Sequence, residues 1–139
     1  MATHDYVYLP SQTERFRAAV AHASVVSWLL FGPVVGIPLV LLLYYAWRDT
    51  SPFVQRQLWR AYLFQLVAGP IAVLPSTGLM TLRVLAPNWT LVVPLVPIIP
   101  YITLAQFLWL LTMVVAGVVG AQRAWRGQDF HYLPFRRPI

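Results

Sequence analysis

The sequence predicts an all-α integral membrane protein, a polytopic bundle of about four hydrophobic helices whose first pair forms a broken or re-entrant hairpin. Three observations carry that reading. Hydrophobic residues make up 59% of the 139 residues and charged residues only 10%, against about a quarter charged in soluble domains. A soluble chain this short has a large surface to cover with polar groups, and this one lacks them. Tyr101 to Ala121 runs uncharged for about 20 residues, the length of a bilayer-crossing helix. The net charge of +6 comes entirely from arginine on the basic side, and the arginines flank the apolar runs.

Residues 1–12 read as an N-terminal tail, 13–126 as a transmembrane helical domain and 127–139 as a basic, aromatic C-terminal tail. Met1 to Arg17 is polar and contains Asp5 and Glu14, so it lacks the pattern of a cleaved signal peptide. Ser11-Gln12-Thr13-Glu14 fits a capping box, with Ser11 as N-cap and Glu14 at N3, so a helix is expected to start there. The apolar run from Ala18 to Trp47 is about 30 residues, roughly 45 Å as one straight helix. That exceeds a hydrocarbon core of about 30 Å. Gly32-Pro33 and Gly36-Ile37-Pro38 interrupt it, so it is either one kinked, tilted span or two short helices folded back on each other.

Ser51-Pro52 suits the N-cap and first position of a further helix. That helix runs apolar from Ala61 to Leu74, and Pro70 and Pro75 are expected to kink or end it. Ser76 to Thr90 reads as the connection on the far side. Pro94, Pro97 and Pro100 oppose a regular α-helix and predict an extended or broken apolar segment before the last span.

Cytoplasmic flanks of membrane proteins are rich in arginine and lysine. If Ala18–Trp47 is a hairpin, Arg15, Arg17, Arg48, Arg56, Arg60, Arg123, Arg126, Arg136 and Arg137 share one side and only Arg83 lies on the other. If it is a single span, Arg15 and Arg17 move across to join Arg83. The hairpin separates charge more sharply, which favours four crossings, with both termini and the Arg-rich face on the cytoplasmic side of a bacterial inner (plasma) membrane. Arg48, Arg56, Arg60, Arg123, Arg126, Arg136 and Arg137 are the residues expected to meet lipid headgroups or a protein partner. Gly127 permits a turn that returns Phe130, Tyr132 and Phe135 to the membrane interface.

No catalytic apparatus is visible. Asp5, Glu14, Asp49 and Asp129 lie outside the apolar spans, and no two fall at helical spacing for acid/base work. Cysteine is absent, which removes thiolate nucleophiles, disulfides and Cys-ligated metals. His4, His22 and His131 are far apart and lack a second ligand one turn away, so no metal site or cofactor is expected. His22, Gln65 and Gln106 are the intramembrane polar residues. Their expected roles are an interfacial or capped histidine and interhelical hydrogen bonds, with a pore lined by Gln65 and Gln106 as the sharper alternative. Ala116-xxx-Gly120 and Gly117-xxx-Ala121 place small residues where helices approach closely. Asn88-Trp89-Thr90 matches a glycosylation sequon that nothing else in the chain supports. The expected partners are membrane lipids and other membrane protein subunits. Nucleic acid is not among them, and no small-molecule substrate is evident.

Three blocks carry a family resemblance. The first is Glu14-Arg15 through Ala21-His22-Ala23-Ser24; the second is Ser51-Pro52-Phe53-Val54 followed by Ala61 and Phe64-Gln65; the third is Gly127-Gln128-Asp129-Phe130-His131-Tyr132 with Pro134. In this order they resemble a bacterial family of small membrane proteins grouped with the Tic-twenty protein of the chloroplast inner-envelope import machinery. Gln55, Arg56 and Arg60 stand where that family usually carries acidic residues, Leu63 where it has Asn, and Leu133 is inserted before the proline. The resemblance implies a helical membrane domain of about four segments, a structural or translocation-associated role, and no catalytic residues. Two other roles fit the composition. One is an accessory subunit of a respiratory or photosynthetic complex; the other is a small channel or carrier.

Overall fold

The computed structural model describes residues 8–85 and 93–132, and among these it contains helices and no strand. The α-helical segments are α1 (Gln12–Ala23), α2 (Ser27–Phe31), α3 (Pro33–Trp47), α4 (Pro52–Leu85) and α5 (Ile99–Trp125). A 3₁₀ turn over Ser24–Val26 joins α1 to α2 with right-handed helical dihedrals on both sides. Ser24 and Ser27 donate from their hydroxyls to the carbonyls of Ala21 and Ser24, both at 2.7 Å, which suits this tighter turn. Gln12 to Phe31 is therefore one rod, and the described residues form four rods.

The capping box at the start of α1 is present: Ser11 Oγ accepts from the Glu14 N–H at 3.3 Å, and Glu14 accepts from the Ser11 N–H at 2.6 Å. At the other end the chain reverses at Gly32, whose φ of 66° lies in the region glycine alone adopts without strain. The Gly32 N–H is bonded to Trp28 O, and Pro33 has none to satisfy. α3 then returns alongside α1. Arg17 donates to Thr50 Oγ1 at 3.0 Å and lies 5.8 Å over the Trp47 ring. Ala18–Trp47 is thus a hairpin rather than one long helix. Its 15-residue arm α3 is roughly 22 Å long, whereas the 34-residue α4 is roughly 51 Å.

α4 starts as expected, with Ser51 Oγ accepting from the Val54 N–H at 3.3 Å. Its far end differs from expectation. The helix continues through Pro70 and Pro75 to Leu85, so residues 76–85 are helical rather than part of a connection. Nearby side chains add hydrogen bonds to the carbonyls around the breaks, as happens for prolines in apolar helices. Thr77 donates to Val73 and Leu74, Ser76 to Val73, Gln106 of α5 to Ala72 at 2.7 Å and Trp109 of α5 to Ala68 at 3.0 Å. The segment Val93–Ile98 is a 3₁₀ helix, not extended. Prolines three apart match the period of that helix, and Pro100 falls in the first turn of α5, where a missing N–H costs nothing. The sequon at Asn88 lies outside the described residues.

Two apolar clusters hold the rods together. One joins Ala18, Ala21, Val40, Phe53, Val54, Leu58, Ala61 and Ala124; the other joins Val25, Trp28, Ala68, Ala72 and Met113. The Trp28 indole is clamped between two glycines. A Cβ at Gly36 would lie 2.3 Å from its Nε1, and one at Gly69 would lie 2.0 Å from its Cη2. The exterior is apolar. α4 and α5 are long and apolar enough to cross a membrane, yet only 17% and 11% of their most apolar windows are buried. The core helix of a soluble protein would be mostly buried, so these surfaces call for an apolar surrounding or partner.

Two outcomes are expected. Gly69→Ala should lower stability by about 1–3 kcal/mol through overpacking, and most of that cost should vanish in a Trp28→Ala background. Thermal unfolding of the four purified variants measures it. The second concerns acid. The Tyr8 hydroxyl at 2.5 Å and the Ser11 N–H hold the Glu14 carboxyl at about 2, down from 4.5. A depressed carboxylate contributes stability that is fully present above its unfolded value and lost as pH falls through its folded one. Unfolding followed from pH 4.5 to 2 should show this loss in the wild type and not in Glu14→Gln.

Candidate functional site

A chain of polar side chains runs through the bundle where α1, α4, α5 and the segment after α5 meet. His22 of α1 is fully buried. Its Nδ1 lies 2.6 Å from Tyr132 Oη and its Nε2 lies 2.9 Å from Gln57 Oε1. Gln57 donates from its amide nitrogen to Asp129 Oδ1 at 2.7 Å, and Arg60 donates to the same oxygen and to Phe130 O. The proton positions follow. A carboxylate only accepts, so Gln57 presents NH₂ to Asp129 and its oxygen to His22. That oxygen also only accepts, so His22 carries its proton on Nε2. In the neutral ring the Nδ1 lone pair then accepts from the Tyr132 hydroxyl. No buried side-chain donor or acceptor among the described residues is left without a partner.

The turn after α5 builds this chain. Gly127, with φ 74°, closes a Schellman motif in which Gln128 N–H bonds Arg123 O at 3.0 Å and Gly127 N–H bonds Ala124 O at 2.9 Å. The backbone then folds back across the helix end. Tyr132 stacks on Phe64 of α4 at 3.8 Å with an interplanar angle of 4°. Phe130 meets the His22 ring edge-on at 5.7 Å. Space for them comes from α5: a Cβ at Gly120 would lie 3.0 Å from His22 Nδ1 and 2.9 Å from Phe130, and one at Gly117 would lie 2.1 Å from Val25 Cγ1. The close approach therefore uses Gly117 and Gly120 together, one from each of the two expected small-residue pairs.

A second polar contact lies deeper. Trp28 Nε1 donates to Gln65 Oε1 at 3.0 Å, and Gln65 donates to Ser24 Oγ at 2.8 Å. Gln106 donates to Ala72 O and, at 3.1 Å, to Ser76 Oγ. Gln65 and Gln106 thus both make the interhelical hydrogen bonds expected of them.

The remaining sequence-selected residues gather at one end. Arg17, Arg48, Arg56, Arg60, Arg123 and Arg126 come from the helix ends and loops that meet there, while Arg83 belongs to the far end of α4. Arg60 is engaged by Asp129 at 3.3 Å. Arg48 pairs with Asp49 at 3.6 Å and lies 5.2 Å over Tyr45. Arg136 and Arg137, with Phe135, lie outside the described residues. His22 is fully enclosed, and Gln57 and Tyr132 supply both of its partners. One expectation is corrected. Tyr132 does not return to a membrane interface but is buried in the bundle, because Phe64 and His22 form a slot for it.

Sequence reasoning missed Gln57, Asp129 and Tyr132 as parts of this chain. A signal for Gln57 existed: it and Gln65 fall on the same α4 stripe as Val54, Leu58, Ala61, Ala68 and Ala72. A polar residue on a buried stripe requires a buried partner. Removing one partner tests the arrangement. Tyr132→Phe should lower stability by about 1–3 kcal/mol, the cost of a buried acceptor left unpaired. Asp129→Leu should speed tryptic cleavage after Arg126 several-fold by loosening the turn, whereas Asp49→Leu should leave the cleavage rate unchanged.

A model of the magnetosome magnetite crystal formation protein family (MamF/MmsF) covers residues 13–139. No curated protein and no solved structure matches the chain. The match overturns the Tic-twenty-related resemblance. The residues that carried it, among them His22, Ser24, Phe53, Val54, Gln65, Asp129 and Tyr132, are contact residues of this bundle. They encode how four rods and a returning segment pack and say nothing of protein import. With the family model spanning all but the first twelve residues, the chain belongs to the magnetosome magnetite crystal formation protein family.

Proposed function

We propose that the chain is a non-enzymatic, multi-spanning component of the magnetosome membrane and that it acts by contact with lipid and neighbouring membrane proteins around a forming magnetite crystal. The observation that carries this reading is the separation of its surfaces. Large apolar side chains stand exposed along α4 and α5, including Leu66, Ile71, Leu74, Leu104, Phe107 and Leu111. The described carboxylates and all but one of the described arginines belong to one end. Lipid around the middle and water at that end satisfy both.

In this reading α4 and α5 cross the bilayer and the α1–α3 hairpin enters from the Arg-rich side. Its roughly 22 Å arm falls short of a hydrocarbon core of about 30 Å, so the exposed tip at Leu29, Leu30 and Phe31 ends within the apolar layer. The Arg-rich end faces the cytoplasm. The chemistry of the opposite side then argues against direct work on iron. Ferric and ferrous ions favour oxygen, imidazole or thiolate ligands. From Thr50 to Gln128 the chain holds no Asp, Glu, His or Cys. A role through contact needs none of these.

Cysteine labelling tests the placement, since the chain has no native cysteine. Ser11→Cys, Gln55→Cys and Gln128→Cys should react with an impermeant maleimide from the cytoplasmic side only. Val84→Cys, at the far end of α4, should not react from that side. Reaction of Gln55→Cys and Gln128→Cys from opposite sides would end this topology.

A further inference from the structure

An opening of about 430 Å³ lies between α1 and α5 at the Arg-rich end, lined by Ala19, Ala121, Gln122, Trp125 and Arg126. We propose that it binds one anionic phospholipid, the headgroup against Gln122, Trp125 and Arg126 and an acyl chain along α5. The proposal rests on the reading that this bundle sits in a membrane.

The opening has the parts such a ligand needs. Its floor is alanine from both helices, so a chain can approach the backbones closely. At its head stand an amide, an indole and a guanidinium, and none of the three makes a side-chain hydrogen bond or ion pair with another described residue. They differ in this from Gln57, Gln65 and Trp28, whose polar side-chain atoms are all engaged inside the protein, and from Arg60, whose Nη1 is held by Asp129 and Phe130 O. Phe16 meets Trp125 edge-on at 6.3 Å and walls one side. Below Gln122, Val118, Val115, Leu111 and Leu108 follow at helical spacing on one face of α5, all exposed. They form an apolar track of about 20 Å that begins at the polar head. Tryptophan and arginine at one level above such a track match the boundary between phosphate and acyl chain. Basic pockets between helices on the cytoplasmic side suit anionic headgroups. An acidic peptide would use the arginines equally but would leave the track uncovered.

The test uses the full chain in nanodiscs of phosphatidylcholine doped with phosphatidylglycerol, with retained lipids counted by native mass spectrometry. The wild type should retain one phosphatidylglycerol in preference to phosphatidylcholine. Arg126→Gln should lower that occupancy about five-fold, and Arg126→Lys should restore most of it. Ala121→Leu should lower it by filling the floor. Arg48→Gln, elsewhere on the basic end, should leave it unchanged. Equal loss in Arg48→Gln and Arg126→Gln would mean a diffuse basic surface and overturn the site. Unchanged occupancy in Arg126→Gln would do the same, as would release of the lipid by millimolar inorganic phosphate or binding of a glutamate-rich peptide in its place. If Ala121→Leu fails to incorporate, the Gln and Lys variants at Arg126 decide alone. Incorporation of the wild type into the discs is read separately, so loss of the lipid site is distinguishable from loss of the membrane reading.

Discussion

The His22 ring lies where α1, α4, α5 and the returning segment converge, and each of its nitrogens is held by a different element. A neutral imidazole has one donor and one acceptor, so only one arrangement of protons satisfies it here. That arrangement passes through Gln57 to Asp129 and Arg60 and ends at the Arg-rich surface. A buried network is stabilising only when every member is paired. In this bundle the condition is met, and it ties the position of the segment after Gly127 to the register of α1 against α4. Apolar contacts alone, being non-directional, would not set that register.

The same constraint recurs wherever the apolar rods carry a polar group. Gln65, Trp28, Gln106 and Trp109 each donate to a neighbouring helix or carry a partner from one. Two of these contacts end on the α4 carbonyls of Ala68 and Ala72 and tie α5 to the stretch of α4 that contains Pro70 and Pro75. Glycine supplies the complementary feature. Gly36 and Gly69 admit the Trp28 indole, and Gly117 and Gly120 admit α1 with its imidazole. Polar pairs and small residues are how helices associate when their surroundings are as apolar as their side chains.

The described residues therefore form a charged end, where arginines and carboxylates meet, and an apolar body of unequal rods. The hairpin packs against α4 from Phe53 to Ala72 and leaves the rest of that helix, to Leu85, beyond its tip. Near that tip Gln106 and Trp109 tie α5 to α4, and most of the apolar surface of those two helices is open to the surroundings. A family concerned with magnetite crystal formation and a chain without carboxylates between Asp49 and Asp129 are compatible if the work is done by association in the membrane rather than by holding iron.

Several features were legible in the sequence because their causes are local. Composition and the uncharged run Tyr101–Ala121 determined the helical, apolar character. Ser11 with Glu14, and Ser51 with Pro52, determined where helices begin. Glycine and proline at 32 and 33 restricted the first apolar run to two readings, a kinked rod or a hairpin. Choosing between them took the tertiary contact of Arg17 with Trp47 and Thr50, which lie a hairpin's length away in sequence. The polar chain was less legible still. His22, Gln57, Asp129 and Tyr132 show no common spacing, and only the fold brings their three separate stretches to one point. The prolines of α4 misled for a related reason: proline disfavours a helix locally, while α4 is packed along Ala68 and Ala72 against residues distant in sequence. Local chemistry set the elements, and partners distant in sequence decided what each polar residue does.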